Sequence, residues 1–251
     1  MRLGLIGVGV VGGVLKKYFE EHCPQHEVKC FDPAKGMTDN LEGCEAIFVS
    51  VPVPAAGIGQ DLKQLESAVF TAKKFTQNIF IRSTVLPGTN DRLGTISMPE
   101  FLTERSAYED FCKLPIMVGY GHRHTELERI FPDHDIIVMS NTEAELSKFA
   151  HNCFGAMKVS YFNLIFDLCR KYNADFELVK SGAGVTGFID MENHTQVPGP
   201  DGKRGFGGKC FPENVNALKR KMYWEKGLSE EANFFEALER LNNKHRVMNA
   251  P

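Results

Sequence analysis

The chain has 251 residues, 43% of them hydrophobic and 24% charged, and its formal net charge at pH 7 is −3. This is the ordinary composition of a globular protein with room for one or two cores. The mild negative charge excludes the strongly basic surface typical of nucleic-acid-binding and membrane-surface proteins, so we predict neither kind of partner.

The start of the chain and its cysteines favour a cytoplasmic protein. The apolar residues after Arg2 are interrupted by glycines and reach Lys16 without a small-residue cleavage site, which does not fit a signal peptide. No later apolar run is long enough to span a bilayer. The seven cysteines form no CxxC pair and the eight histidines form no ligand set, so we predict reduced thiols and no metal site.

Short apolar runs typical of buried strands alternate with helix-period segments in the first part of the chain. The runs occupy residues 2–6, 27–31, 45–51, 79–81, 116–118 and 136–139. Val10–His22 and Leu62–Phe75 have the spacing of amphipathic helices. Strands alternating with helices predict an α/β fold, and we interpret residues 1–140 as a Rossmann-type domain with a doubly wound parallel sheet.

From residue 141 to residue 251 the pattern predicts a second, all-helical domain. It opens with one long helix over 142–171, which begins at an Asn141/Thr142 cap. Further helices are predicted at about 176–182, 212–225 and 230–246, and the Gly/Pro-rich loop Val197–Gly208 precedes the second of these. A helix as long as the first one often packs against a symmetry mate.

The first strand runs into a glycine motif. Gly7-Val8-Gly9-Val10-Val11-Gly12 fits GxGxxG and opens a helix, and Asp32 follows 20 residues later at the end of the second strand. The glycines permit a tight turn, and the helix N-terminus attracts a pyrophosphate. Asp32 would accept hydrogen bonds from a ribose and repel a 2′-phosphate, which favours NAD over NADP, although the nearby Lys35 weakens that preference. The alternative is a tight turn without a ligand.

Five further segments follow in a fixed order. They are Val51-Pro52-Val53-Pro54, Ser83-Thr84-Val85-Leu86-Pro87-Gly88-Thr89, Pro99-Glu100-Phe101-Leu102-Thr103-Glu104, the helix segment Glu145–Asn163 with Lys148 and Asn152, and Gly205-Phe206-Gly207-Gly208-Lys209-Cys210-Phe211-Pro212. In this order they resemble the UDP-glucose/GDP-mannose dehydrogenase family. The resemblance covers essentially the whole chain but only two of the family's three domains, so we expect a shortened member without the C-terminal nucleotide-binding domain.

The resemblance implies a four-electron oxidation, in which a sugar-nucleotide primary alcohol becomes a carboxylate with two NAD consumed in turn. Such a reaction needs a nucleophile that captures the aldehyde as a thiohemiacetal and then as a thioester. Cys210 is the candidate, because it follows a glycine-rich loop and precedes Pro212, which suits the first turn of a helix. A helix N-terminus makes a thiol more reactive. The other six cysteines lie in strand or helix patterns that indicate buried, inert thiols.

The resemblance also assigns roles to polar residues of the other motifs. Lys148 and Asn152 are four residues apart on one helix face, and they would stabilise the alkoxide and the tetrahedral oxyanion. Glu100 would act in acid/base chemistry or water activation, and Glu104 would lie near substrate and nicotinamide. Thr84 would hold the attacking water or contact the cofactor.

The remaining contacts are also expectations from the resemblance. The residues expected at the cofactor are Gly7, Gly9, Val10, Val11, Gly12, Asp32, Lys35, Val51, Pro52, Thr84 and Glu104. Those expected at the sugar nucleotide are Glu104, Lys148, Asn152, Arg204, Phe206 and Gly207, with Arg204 and Lys203 as diphosphate partners. The family further implies a homodimer formed through the long helix.

The residues after the cysteine depart from the family pattern. The usual run is Cys-Leu-Pro-Lys-Asp, whereas this chain has Cys210-Phe211-Pro212-Glu213-Asn214. Asn214, assigned a catalytic role by its position, can form hydrogen bonds but cannot accept a proton. Glu213 lies about 100° further round a helix and is not a simple replacement. Hydrolysis of the thioester is therefore the step that the sequence supports least.

Two other functions remain open. A 3-hydroxyacid dehydrogenase of similar architecture would use Lys148 for a single hydride transfer and would not need Cys210. An NAD-binding module without catalysis would act by association through its long helix. The dehydrogenase hypothesis requires the Cys210 sulfur to approach the nicotinamide, with the Lys148 ammonium facing the same pocket.

Overall fold

The computed structural model describes residues 1–119, 124–225 and 227–248, without the side chains of His124 and Thr125. These residues form two compact units. The first comprises residues 1–54 and 60–148, and the second comprises residues 55–59 and 149–251 as far as they are described.

The strands of the described residues are β1 (Arg2–Ile6), β2 (Glu27–Asp32), β3 (Met37–Thr38), β4 (Ala46–Val49), β5 (Ala55–Ala56), β6 (Gly59–Gln60), β7 (Ile79–Ile81), β8 (Ile96–Ser97), β9 (Ile116–Val118) and β10 (Ile136–Val138). The α-helices are α1 (Val10–His22), α2 (Lys63–Ala72), α3 (Thr89–Leu93), α4 (Ala107–Lys113), α5 (His124–Ile130), α6 (Asn141–Tyr172), α7 (Phe176–Ala183), α8 (Cys210–Trp224) and α9 (Ser229–Val247). A short 3-10 turn covers Pro33–Lys35.

The first unit is built on a six-stranded sheet with the order β3-β2-β1-β4-β7-β8. All neighbouring pairs are parallel except β2 and β3. β1 lies at the centre, and Leu5 is in register with Cys30 on one side and Phe48 on the other. β9 and β10 form a separate parallel pair. The predicted Rossmann-type sheet is therefore confirmed.

Successive residues of the central strands serve two different cores, because side chains alternate across a strand. Phe48 and Phe80 belong to the core that includes Phe19 and Phe131. Ile47, Val49, Ile79 and Ile81 instead pack with Leu65, Val69 and Ala72 of α2. Both faces of the sheet are thus covered, as the continuous apolar runs of β4 and β7 predict for buried parallel strands.

Apart from residues 55–59, the regular elements described in the second unit are helices. α6 is 32 residues long, which confirms the long helix, and its first turns belong to the first unit. Phe162 and Cys169 of α6 pack with Phe176 of α7. α8 and α9 are linked by Lys219, which forms ion pairs with Glu236 and Glu239. No helix among the described residues is long and apolar enough to cross a membrane.

Candidate active site

The glycine turn of the first unit is shaped by two close backbone approaches. Gly7 has a φ of +82°, and a Cβ atom on it would lie 2.5 Å from the Ser50 carbonyl oxygen. A Cβ atom on Gly12 would lie 2.0 Å from the Gly7 carbonyl oxygen. Around Gly9, by contrast, no atom would lie within 4 Å of such a Cβ. Gly9 caps α1 without a side-chain hydrogen bond, so the turn offers open space beside helix-end amides, which fits a pyrophosphate.

Asp32 and Lys35 both hold this turn. Asp32 follows at the end of β2, and its Oδ2 accepts a hydrogen bond from the Val8 N–H at 2.9 Å. Lys35 Nζ donates to the Val8 carbonyl oxygen at 2.7 Å. The sequence predicted both residues beside the cofactor, and the structure brings both to the glycine turn. Val10 and Val11 lie in the first turn of α1.

The loops after β4 and β7 are joined by Ser83. Its hydroxyl accepts from the Val51 N–H at 3.0 Å and donates to the Val51 carbonyl oxygen at 2.6 Å. The next residue, Thr84, is half-buried, and its carbonyl oxygen accepts from Gln60 Nε2 at 3.0 Å. Pro52 is exposed and, unlike Val49, lies beyond the end of β4. The predicted strand over 45–51 is thus shorter than expected, since its last residues form this loop.

Glu100 and Lys148 form an ion pair in the interior of the first unit. Lys148 Nζ lies 3.2 Å from Glu100 Oε1, and the side chains are 4% and 11% exposed. Glu100 Oε2 accepts from the Leu102 N–H at 2.6 Å. The ammonium also lies 5.1 Å from the centre of the Phe101 ring. The carboxylate is therefore fixed in place, whereas Glu104 lies on an exposed turn.

Arg82 is a buried cation that sequence reasoning missed. It follows β7 and lines the same small cleft as Glu100, and its Nε and Nη2 have no hydrogen-bond partner among the described residues. Burial lowers the pKa of Arg82 to about 10, and the charge of Glu100 opposes that fall. Its only sequence signal is a basic residue directly before the Ser83-Thr84 motif.

Glu145 fixes the first turns of α6. Its carboxylate accepts from the Gly88 N–H at 2.7 Å, from the Asn90 N–H at 2.8 Å and from Asn90 Nδ2 at 2.7 Å. Burial raises the pKa of Glu145, and the hydrogen bonds from Asn90 and Gly88 oppose the rise. Because Lys148 lies less than one turn further on, this anchor also sets the position of its backbone.

Cys210 is the one exposed cysteine of the described residues. It is the first residue of α8, two residues earlier than the predicted helix start. Pro212 lies in the first turn, where its missing N–H is not needed. Burial raises the pKa of Cys23, Cys30, Cys44 and Cys153, the last to about 12. Cys169 is also buried and Cys112 is half-buried.

Asn152 and Asn214 meet in the second unit. Asn152 Nδ2 donates to Asn214 Oδ1, and both residues are buried, at 3% and 5% exposed. Asn214 lies one turn after Cys210 on α8. The pairing brings together two residues that the sequence assigned to catalysis, and it uses the acceptor oxygen of Asn214.

The loop before Cys210 is closely packed. Arg204 is fully buried; its Nη2 lies 2.7 Å from Asp167 Oδ1 and donates to the Asn163 carbonyl oxygen at 3.1 Å. Phe206 is 4% exposed, and its N–H donates to Asn242 Oδ1 at 2.7 Å. A diphosphate would reach Arg204 only by displacing these partners. This burial could not be predicted from the sequence, because the partners of Arg204 and Phe206 lie far away along the chain.

Gly207 lies close to α9. A Cβ atom on Gly207 would lie 2.8 Å from Arg246 Nη2.

Within the described part of the chain, no group of three His, Cys, Asp or Glu side chains is arranged to hold a metal ion.

Comparison with known protein families finds a match for most of the second half of the chain. A model described as the central domain of the UDP-glucose/GDP-mannose dehydrogenase family matches residues 142–244. UDP-glucose 6-dehydrogenase of Rickettsia conorii is 31% identical over 201 residues, or 72% of this chain and 45% of that protein. The enzyme of the same name from Rickettsia prowazekii is 32% identical over 204 residues, covering 72% of this chain and 46% of the relative. The chain thus spans about half the length of these curated relatives.

Solved structures share the fold over almost the whole chain. A UDP-glucose dehydrogenase from Pyrobaculum islandicum superposes with a TM-score of 0.78 at 24% identity, over 97% of this chain and 68% of that chain. A UDP-D-ManNAc dehydrogenase from Pyrococcus horikoshii gives 0.75 at 17% identity, over 98% and 69%. The fold and the glycine turn define a Rossmann-type α/β protein with a second unit made mostly of helices. Residues 142–244 thus match the central domain of the UDP-glucose/GDP-mannose dehydrogenase family, and the chain resembles curated UDP-glucose 6-dehydrogenases over 72% of its length.

Proposed function

We propose that the protein oxidises the primary alcohol of a nucleotide sugar to a carboxylate, as in the conversion of UDP-glucose to UDP-glucuronate. The balanced reaction consumes one R–CH2OH, two NAD⁺ and one water, and it releases one R–COO⁻, two NADH and three protons. The observation that carries the proposal is Cys210, an exposed thiol at the start of α8, while the other cysteines are buried or half-buried.

The first unit has the features needed to hold NAD. The open space at Gly9 and the uncapped start of α1 suit a pyrophosphate, and Asp32 stands where a ribose would bind. Lys35, Val51, Pro52, Thr84 and Glu104 complete the proposed cofactor contacts. When bound, NAD⁺ would supply the hydride-accepting ring for both oxidations.

Side chains of this protein would carry out the steps at the reacting carbon of the substrate. Lys148 and Asn152 donate hydrogen bonds to the alkoxide, and the Cys210 thiolate then adds to the aldehyde. Loss of the second hydride from this thiohemiacetal leaves a thioester. Water breaks the C–S bond and returns the thiolate, and Glu100 accepts the proton of that water because Asn214 cannot. Glu104, Phe206 and Gly207 would contact the sugar nucleotide.

We also propose a cytoplasmic homodimer. Phe154, Tyr161, Leu164, Leu168 and Tyr172 of α6 are 39% to 73% exposed. Their spacing of seven, three, four and four residues places them along one side of the helix. An apolar stripe of this kind is typical of a surface that packs against another copy. Sedimentation velocity would give the mass of a monomer if the proposal is wrong.

The experiment that tests the function is a screen for NADH release. UDP-glucose, other UDP-sugars, GDP-mannose and simple 3-hydroxyacids are supplied in turn, and NADH is counted per molecule of substrate consumed. Two NADH with a nucleotide sugar support the proposal. One NADH with a hydroxyacid supports the single-hydride alternative, and NAD binding without turnover of any substrate supports the non-catalytic one.

A further inference from the structure

The start of α8 has no helix cap of the usual kind. Lys209 occupies the cap position, and its side chain accepts no hydrogen bond from the helix. A first turn without a side-chain cap lacks a hydrogen bond that commonly stabilises the start of a helix. Because Cys210 is the first residue of this turn, the other side-chain contacts of the turn affect its position.

Two side chains of α8 form hydrogen bonds with the segment 55–59. This segment belongs to the second unit, whereas the residues on either side of it in the chain belong to the first. Glu213 Oε2 accepts from the Ala55 N–H at 2.7 Å. Arg220 Nη1 donates to the Gly57 carbonyl oxygen at 2.8 Å, and its Nε donates to Asn216. Glu213 and Arg220 are two helical turns apart, so they lie on the same face of α8.

The segment 55–59 holds β5, the following turn and the first residue of β6, and the two strands pair as a hairpin. This hairpin presents backbone groups that match the side chains on this face of α8. Ala55 opens β5, and Gly57 forms the turn with a φ of +53°. The Ala55 N–H meets the carboxylate of Glu213, which accepts its hydrogen bond. The Gly57 carbonyl oxygen meets the guanidinium of Arg220, which donates to it. A lysine at position 213, as in the usual family run, could not accept the hydrogen bond from Ala55, so the departure at 213 has a structural use.

A second contact holds the same turn from another element. The ring of Phe211 packs so closely on α6 that a Cβ atom on Gly155 would lie 2.5 Å from its Cζ. The His194 ring lies 5.2 Å from the Phe211 ring, centre to centre. The residues directly after Cys210 are thus held by side-chain contacts in place of a cap.

We propose that Glu213 and Arg220 are positioning residues, which fix the turn that carries Cys210 by binding it to the hairpin at 55–59. Their effect on turnover rests on the proposed function, because it takes Cys210 as the nucleophile. The hydrogen bond from Ala55 requires an acceptor atom at 213 and not a charge. Glu213→Gln keeps an acceptor oxygen, whereas Glu213→Met removes it.

The test compares hydrogen exchange of peptides covering residues 51–60 and 209–217 in the full chain. In Glu213→Met we expect exchange in both peptides to rise about fivefold, the factor that corresponds to one lost hydrogen bond. Arg220→Met should act on the same two peptides. Glu213→Gln and the control Glu225→Gln, which alters an exposed ion pair with Lys221 at the other end of α8, should match the wild type.

The kinetic arm distinguishes this inference from the proposed function. If the wild type oxidises a nucleotide sugar, Glu213→Met should lower kcat about fivefold with KM unchanged. Faster exchange only in 51–60, with 209–217 unaffected, would overturn the positioning role while leaving the proposed function intact. A wild type without turnover would refute the proposed function, and the exchange of 209–217 would still decide whether the hairpin holds that turn.

Discussion

Lys148 and Glu100 form an ion pair away from solvent, with Nζ 3.2 Å from Oε1 and side chains that are 4% and 11% exposed. Removing one partner of a buried pair leaves an uncompensated charge, which costs about 3 kcal/mol. Glu100 also lies near the buried Arg82, so Glu100→Gln leaves two buried cations without a carboxylate, whereas Lys148→Met leaves the Glu100 carboxylate with Arg82 still nearby. We expect Glu100→Gln to be the more destabilising change in urea unfolding.

A control for this prediction lies on the surface of the same unit. Arg92 and Glu66 form an ion pair with side chains 55% and 45% exposed, and Arg92→Met should cost less than about 1 kcal/mol. The double variant of Lys148 and Glu100 should cost less than the sum of the two single changes. Additive costs would contradict a direct interaction between them.

Alanine substitutions at the adjacent residues Gly12 and Gly13 should have opposite effects on stability. Gly12→Ala places a methyl group 2.0 Å from the Gly7 carbonyl oxygen, so NAD binding should be lost together with much of the stability. Gly13→Ala meets no atom within 4 Å and should raise stability by about 0.8 kcal/mol, because alanine favours the helix. Gly9→Ala should fold normally but bind NAD weakly. Thermal unfolding with and without NAD separates the three outcomes.

Asp32 should decide the choice of cofactor. Asp32→Ala removes the acceptor for the Val8 N–H and the proposed partner of the ribose, so NAD affinity should fall about tenfold or more. Affinity for NADP should fall less, because the repulsion of its 2′-phosphate also disappears. Asp39→Ala is the control, since Asp39 accepts from the Cys30 N–H of the same strand at 2.8 Å. Equal losses for both cofactors in a titration would argue against the assignment.

His245 should make the protein sensitive to mild acid. It is fully buried, and its Nε2 lies 3.1 Å from Asp167 Oδ2. Burial lowers the pKa of His245 below its usual 6.5, with the hydrogen bond to Asp167 opposing the fall and the charge of Arg204 adding to it. The unfolded chain therefore binds this proton more tightly than the folded chain does. The contribution of His245 to the free energy of unfolding is fully present above pH 6.5 and is lost progressively as the pH falls below 6.5. The decline is at most about 1.4 kcal/mol per pH unit for this group.

Thermal unfolding between pH 8 and pH 5.5 measures this effect. His245→Gln should flatten the decline below pH 6.5 without abolishing it, because the pKa of His134 is also lowered by burial. An unchanged slope in the variant would show that His245 is not the responsible group.

Periodicity was enough to predict the long elements, and short elements escaped it. α6 and α1 have many turns over which an apolar pattern repeats, and their predicted bounds agree with the structure to within one residue. The hairpin of β5 and β6 has strands of two residues each, which is too short for any period to register. Its contacts with Glu213 and Arg220 were therefore invisible in the sequence.

The polar interior was the other part that sequence could not predict. Arg204 lies in a Gly/Pro-rich loop, where a charged residue is normally solvated, yet it is fully buried against Asp167. Arg82 and Glu145 are buried as well, and the hydrogen-bond partners of Glu145, Gly88 and Asn90, are distant from it in sequence. Cys210, in contrast, was predicted near a helix start, because the glycines before it and Pro212 after it are local signals, although α8 begins two residues earlier than predicted.

The central claim is that the Cys210 thiolate carries the oxidation from aldehyde to acid. The most direct measurement counts NADH and uronic acid formed per nucleotide sugar by the wild type and by Cys210→Ser. The wild type should give two NADH and one acid, and Cys210→Ser should lose acid formation while still binding NAD. Acid production by Cys210→Ser at the wild-type rate, with two NADH per sugar, would contradict the account.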